Sequence, residues 1–222
     1  MLQREIQPEI LDSLPPDHPD ALHNRRDLRL TNRLMGNYHW FVRNLTPQIL
    51  NDDRVLDLGA GTGELGQTLA ARDVAVDGLD LWPRPQRWPK GRLWHRADLL
   101  EFNGYREYRV VIGNLIFHQF HPEQLAQLGH KLAHSARVIM ASEPARRRIS
   151  QVFFAGLAPL LGANHVSLHD ARVSIAAGFL GDELPKLLQL SPVEWEWRCH
   201  STTFGAYRMV AVRRQIHDTR AN

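Results

Sequence analysis

Val55-Leu56-Asp57-Leu58-Gly59-Ala60-Gly61-Thr62-Gly63 is the stretch on which the fold turns. An apolar run carrying a single acid leads into a glycine-rich turn, and residues 64–72 then read as a helix. Glycines let the backbone approach a ligand where a side chain would collide. The helix start behind them offers unpaired N–H groups to a polar or anionic group. Outward from this point, residues 54–58, 74–79, 93–95, 109–115 and 137–141 are predicted strands. Between them, residues 122–134 are a predicted helix with proline in its first turn. Such alternation predicts a parallel sheet covered by helices. Two late strands, 194–200 and 206–212, are expected to close the sheet as a hairpin.

Before the glycine turn the character differs. Residues 12–20 (DSLPPDHPD) carry three prolines and cannot lie inside a helix. Residues 21–45 place Leu28, Leu30, Leu34, Met35, Trp40 and Phe41 at helical spacings, with Gly36 as a break. They hold too few apolar side chains for a core of their own. Residues 1–50 are therefore read as a helical cover on a single globular unit whose main domain is 51–222. After Glu143 a helix-like run covers 145–161, and a less regular stretch follows to Leu190. The apolar residues 152–163, behind Arg146, Arg147 and Arg148 and broken by Pro159, are too short to span a bilayer. They read as an amphipathic helix on the sheet, with an apolar channel or a membrane-surface contact as the alternative.

Composition excludes several classes. With 222 residues the chain can bury a sizeable core without disulfides, and Cys199, the one cysteine, permits no intrachain bridge and no Cys-rich metal site. No carboxylate and histidine set has recognisable ligand spacing, so no metal is expected. The start, MLQREIQPEI, is neither basic nor followed by an apolar core, so a signal peptide is not expected and a cytoplasmic location is. Of 27 basic residues only Lys90, Lys131 and Lys186 are lysines, and 24 acids leave a net charge of +3. Arginine suits planar pairing with phosphates, but no basic stripe runs along the chain, and nucleic acid is not an expected partner.

A nicotinamide-binding fold is the first rival. Gly61-Thr62-Gly63-Glu64-Leu65-Gly66 spells G-x-G-x-x-G, and Asp80 follows at a distance suited to a ribose. The register argues against it. A dinucleotide turn begins where the strand ends, at Gly59, which puts Glu64 at the third glycine position and a carboxylate against the pyrophosphate. Asp57 at the strand end suits a cationic ligand better.

The stretch closely resembles motif I of the class I S-adenosylmethionine-dependent methyltransferases, and three later features match that family in order. Asp80 ends Val76-Asp77-Gly78-Leu79-Asp80, where the family's carboxylate accepts both ribose hydroxyls. Asp98 follows the third strand in His95-Arg96-Ala97-Asp98-Leu99, where its counterpart binds the adenine amino group. Val110-Val111-Ile112-Gly113-Asn114-Leu115 is the fourth strand, whose end lies beside the reacting methyl. The matched region runs from about Asp53 to Glu143. The resemblance implies a Rossmann-like α/β fold: a seven-stranded, mostly parallel sheet with the last strand antiparallel, helices on both faces and the N-terminal helical cover. It implies S-adenosylmethionine held by Asp57, Gly59, Ala60, Gly61, Thr62, Gly63, Asp80, Leu81, Asp98, Leu99 and Asn114.

Asn114-Leu115-Ile116-Phe117-His118-Gln119-Phe120 is similar to the "NLxxHHF" segment of quinone-type and related small-molecule methyltransferases, with Gln119 in place of a second histidine. Asn32-Arg33-Leu34-Met35-Gly36-Asn37, Glu143-Pro144-Ala145-Arg146-Arg147-Arg148, Leu161-Gly162-Ala163-Asn164 and the segment His169 to Phe179 are similar to a bacterial group that accompanies type III polyketide synthases and aryl-lipid pathways. The implied acceptor is a phenolic, polyketide or quinone-like aromatic small molecule, with no stable membrane anchoring. His118, just past the fourth strand, is the candidate catalytic base, expected to act as a neutral imidazole; a packing role is its alternative. His169 could line an acceptor pocket, Trp82 could stack on adenine, and His18, His23, His130, His134 and His217 read as surface or cap residues. A cofactor-binding protein without turnover and an RNA methyltransferase remain the rival functions. Asn114 to Phe117 lacks the Asn/Asp-Pro-Pro-aromatic motif of many of the latter.

Overall fold

The strands alternate between two apolar faces, and that alternation is what stacks helices on both sides of one sheet. In this computed structural model, which describes residues 3–15, 17–50, 52–147 and 162–214, seven strands form a single sheet. They are β1 (Val55–Leu58), β2 (Val76–Asp80), β3 (Trp94–Arg96), β4 (Val110–Asn114), β5 (Val138–Pro144), β6 (Trp195–Ser201) and β7 (Ala206–Arg213), in the order β3-β2-β1-β4-β5-β7-β6. β7 runs antiparallel to β5 and to β6, while β1 to β5 pair in parallel. The predicted sheet and its late hairpin are thus present, with strand ends shifted by at most three residues.

Successive side chains on a strand point to opposite faces. Leu56, Leu58, Val111, Ile139 and Ala141 pack with Leu125, Leu128 and Leu132 of α5 (Pro122–Ala133). Val55, Val110, Ile112, Val138 and Met140 pack on the other face with Leu65 and Leu69 of α4 (Glu64–Ala70) and with Trp40, Phe41 and Leu45 of α3 (Asn37–Leu45). The N-terminal part therefore shares the core of one sheet face.

Ahead of α3 stand α1 (Ile10–Ser13) and α2 (Pro19–Leu34). Pro19 occupies the first turn of α2, behind His18, whose Nδ1 accepts from Asp20 N at 3.2 Å. Gly36, at φ +66°, supplies the left-handed turn that separates α2 from α3. Residues 3–9 form a strap without regular structure. Glu5 N donates to Ala176 O at 3.2 Å, which ties the strap to a segment remote in the sequence.

The stretch before Leu190, read as irregular, contains α6 (His165–Ala177) and α7 (Glu183–Leu187). Helical periodicity in α6 is masked because Ser167 and Asp170 are buried along with Val166, Val173 and Ile175. The helix ends where Gly178 meets Pro144: a Cβ there would lie 2.2 Å from the Pro144 carbonyl oxygen. Most of the predicted 145–161 helix and of the apolar 152–163 stretch, and His217, lie outside the described residues. Among the described residues no helix is long and apolar enough to cross a membrane.

Candidate active site

The carboxyl ends of β1, β2 and β4 open into a cavity of about 550 Å³. Of the residues expected to hold a cofactor, Asp57, Gly59, Ala60, Gly61, Thr62, Asp80, Leu81, Asp98, Leu99 and Asn114 all line it. Gly63 is not among the lining residues. It faces Trp88, where a Cβ would lie 3.0 Å from the ring. Gly66 has the same cause: a Cβ would come within 2.6 Å of Trp88. The last two glycines of the G-x-G-x-x-G that suggested a dinucleotide are therefore set by an indole packed on the helix.

The turn after β1 is built on positive φ at Gly59 (+61°) and Gly61 (+55°), a region that side chains rarely adopt. A Cβ on Gly59 would also lie 2.6 Å from Ile116. Gly59 N and Ala60 N both donate to Leu79 O, at 2.9 and 3.3 Å. Asp80 finishes the tie: its Oδ2 accepts from Gly61 N and its Oδ1 from Trp82 N, each at 2.8 Å. Asp98 is exposed and its Oδ1 accepts from Leu100 N at 2.7 Å, whereas Leu99 is buried.

Asp57 lies in the middle of the sheet, 1% exposed, and its Oδ2 has no partner. Burial, and then the neighbouring Asp80, push its carboxyl well above the usual range. Burial also raises Asp80, against the backbone bonds that favour its charge. Asn114 is held by a chain of amides. Its Nδ2 donates to Asn32 Oδ1 at 2.9 Å, Asn37 Nδ2 donates to the same oxygen at 2.9 Å, and Ser142 Oγ donates to Asn37 Oδ1 at 3.0 Å. This leaves Asn114 Oδ1 buried without a partner.

Just past Asn114 the backbone turns through Leu115 at φ +59°, a strained position for a branched residue. The next three N–H groups converge on one buried carboxylate. Glu143 Oε1 accepts from Ile116 N and Phe117 N at 3.0 Å, and Oε2 from His118 N at 3.2 Å and His118 Nδ1 at 2.6 Å. His118 Nε2 lies 3.3 Å from Glu9 Oε1 on the strap. Burial opposes charge on His118, but the contacts to Glu143 and Glu9 outweigh it and raise its pKa to about 9. Against the expected neutral imidazole, both ring nitrogens are engaged by carboxylates, an arrangement that favours the protonated ring.

His169 is half exposed, bonded through Nδ1 to Asp170 at 3.2 Å, and outside the cavity lining. Trp82 lines the cavity with the Arg25 guanidinium 4.1 Å above its ring. Glu9, Asn32, Asn37 and Glu143 are not among the site residues expected from the sequence. Asn32, Asn37 and Glu143 do fall within segments singled out for resemblance, but nothing in the N-terminal decapeptide marks Glu9.

No protein-family model and no curated protein matches the chain. Among solved structures it is similar to the plantazolicin methyltransferase BpumL in complex with a triazolic desmethylPZN analog and SAH. The identity is 14% and the TM-score 0.68, over 92% of this chain and 93% of that chain. It is also similar to magnesium protoporphyrin IX methyltransferase (ChlM) from Synechocystis PCC 6803 with bound SAH, at 18% identity and a TM-score of 0.54, over 86% of each chain. A third structure concerns conversion of a disulfide bond into a thioacetal group during echinomycin biosynthesis; it matches at 22% identity and a TM-score of 0.57, over 82% of each chain. Likeness at these identities is likeness of fold: the chain has the Rossmann-like fold of the methyltransferases.

Proposed function

We propose that this chain transfers a methyl group from S-adenosylmethionine to a hydroxyl of a small aromatic acceptor, of phenolic, polyketide or quinone-like kind. One observation carries the reading. A single cavity joins the glycine turn, Asp80 and Asp98 to Asp57 and Asn114, and continues to Glu9 and His118. The residues fit the methyl donor. Asp57 Oδ2 and Asn114 Oδ1 are buried acceptors without partners, and such atoms call for a donor or a positive charge. A Cβ on Gly61 would have only Gly59 O within 4 Å, at 3.8 Å, so the space above it is open to a ligand.

Asp80 would then hold the ribose, Asp98 and Leu99 the adenine edge, and Gly59, Ala60, Gly61 and Thr62 the methionine portion. S-adenosylmethionine supplies, when bound, a methyl group on a cationic sulfur. The chain's own task is to hold an acceptor oxygen in line with that methyl, and positioning of this kind accounts for much of the rate. Leu11, Leu34, Met35, Ile116, Phe120 and Ile175 line the same cavity, so shape and apolar contact would orient an aromatic ring.

Calorimetry with S-adenosylhomocysteine and with NAD tests the first half: the former should bind at one site and the latter should not. The reverse result would restore the dinucleotide reading. Methylated product from alkyl-substituted phenols, detected by mass, tests the second half. Cofactor binding with no product would leave a silent binding protein.

Asp80 gives a sharper expectation. Both its oxygens already accept backbone N–H groups, so an amide at this position turns its NH₂ toward one of those donors. Asp80→Asn should therefore weaken cofactor binding nearly as much as Asp80→Ala. Each should cost at least about tenfold, since charge-assisted bonds contribute roughly 1.5–3 kcal/mol and 1.4 kcal/mol is one decade. Near wild-type affinity for the Asn variant would show that the Asp80 contacts to the turn do not matter for binding.

A further inference from the structure

Taking the methyl-transfer reading as given, we infer that the acceptor enters as a neutral hydroxyl and gives its proton to Glu9 on the N-terminal strap. Glu9 lines the cavity, and its side chain is 12% exposed against 4% for His118. Its Oε1 accepts from Ser174 Oγ and from His118 Nε2, which leaves Oε2 to meet the acceptor. The strap is anchored on both sides of it. Arg4 Nε donates to Ala177 O at 2.8 Å, and its Nη2 to His118 O at 3.1 Å and Phe120 O at 3.3 Å. Directly after Glu9, Ile10 N and Leu11 N donate to Asp170, at 2.8 and 3.1 Å. The chain thus holds a carboxylate against His118 from a segment without regular structure.

Elimination leads to the same residue. An anionic acceptor needs a cation that reaches the cavity at this end, and neither Arg4 nor Arg146 is among its lining residues. His118 is flanked by Glu9 and Glu143, Arg146 pairs with Glu183, and the Arg4 guanidinium faces backbone carbonyls and the Phe179 ring at 4.4 Å. A neutral hydroxyl, in turn, needs a proton acceptor. Asp170 is occupied by Ile10 N, Leu11 N, Asn24 and His169, and Asp27 by Arg26 and Ser167. Glu143 is buried beneath four donors, and both nitrogens of His118 are engaged. Glu9 is left. The acceptor's O–H bond breaks with its electron pair kept on oxygen, that pair forms the new bond to the methyl carbon, and the S–C pair stays on sulfur. The proton passes to Glu9 Oε2 and from there directly to water, since that carboxyl is held below its ordinary value.

The two bases predict opposite behaviour. Burial would raise Glu9, but the bonds from His118 and Ser174, with His169 nearby, hold it below its ordinary value. Glu9 as base therefore gives a kcat that is flat between about pH 6 and 8. His118 as base, with a pKa of about 9, gives a kcat that climbs tenfold per pH unit over that range. With an alkyl-substituted phenol as acceptor, Glu9→Gln should lower kcat at least about a hundredfold at pH 7 while S-adenosylhomocysteine affinity stays unchanged. Glu9→Asp should recover part of the loss. If His118 is the base, Glu9→Gln releases Nε2 and raises kcat instead. NMR titration of the histidine rings, without donor or acceptor, reads the contact itself: the His118 midpoint should fall from about 9 in Glu9→Gln. A climbing pH profile, an unimpaired Glu9→Gln or an unmoved His118 midpoint each overturns the assignment to Glu9. Absent phenol methylation in a wild-type protein that binds S-adenosylhomocysteine overturns the methyl-transfer reading beneath it.

Discussion

Gly61→Val is expected to abolish S-adenosylhomocysteine binding in a protein that still folds. Gly61 lines the cavity, and a Cβ on it would touch nothing of the protein closer than Gly59 O at 3.8 Å. The valine side chain therefore occupies ligand space and leaves the core alone. Its φ of +55° is hostile to a branched residue, at a cost of roughly 1–2 kcal/mol. In a chain of this size that lowers Tm by about 2–8 °C, so far-UV spectra at 25 °C should be native. Calorimetry should show affinity reduced by at least about a thousandfold, equivalent to some 4 kcal/mol of lost binding. Gly59→Val is the useful contrast, because its Cβ would collide with Ile116 at 2.6 Å and should damage folding as well as binding. Retained affinity in Gly61→Val would remove the glycine turn from the donor site.

Much of this architecture is legible in the sequence because it is local. A short apolar run bounded by turn residues reads as a strand wherever the sheet buries both faces, as at Val55–Leu58 and Val110–Asn114. The glycine turn is legible because positive φ restricts residue choice. Its neighbour Gly66 shows the limit: the same letter arises from Trp88 packing, and only the three-dimensional contact separates a ligand glycine from a packing glycine. α6 is hidden in the sequence for the same kind of reason. Asp170 reads as a solvated acid, yet it is buried and caps the two N–H groups at the start of α1.

The end of the cavity at His118 is the least legible part of the candidate site, since its arrangement depends on pairs far apart in the chain. His118 could be picked out by its place after β4. Its charge could not, because Glu143 comes from the next strand and Glu9 from a strap more than a hundred residues earlier. The orientation of Asn114 likewise depends on Asn32 and Asn37 in the helical cover. That cover is part of the site and not an accessory to it, which a composition count of residues 1–50 does not reveal.

Glu143→Ala should be the most damaging of these substitutions for stability. It removes the acceptor for Ile116 N, Phe117 N, His118 N and His118 Nδ1 together, in a place with no exposure to water. Breaking a buried ion pair from one side costs roughly 3–5 kcal/mol. At about 2–4 °C per kcal/mol for a chain of this size, Tm should fall by about 6–20 °C. The strained Leu115 turn, held in place by this cluster, should loosen with it. A pH signature separates the ion pair from simple loss of volume. The folded His118 pKa of about 9 lies above the ordinary 6.5. Its contribution is therefore fully present below about pH 6.5 and is lost as pH rises through 9. The wild-type protein should lose stability across that window in urea titrations, and Glu143→Ala should lose less. Glu143→Gln keeps one carbonyl oxygen for Ile116 N and Phe117 N, so it should fall between the two. A Glu143→Ala protein melting within about 2 °C of wild type would mean that those backbone N–H groups find other acceptors, and that Glu143 does not organise the acceptor end.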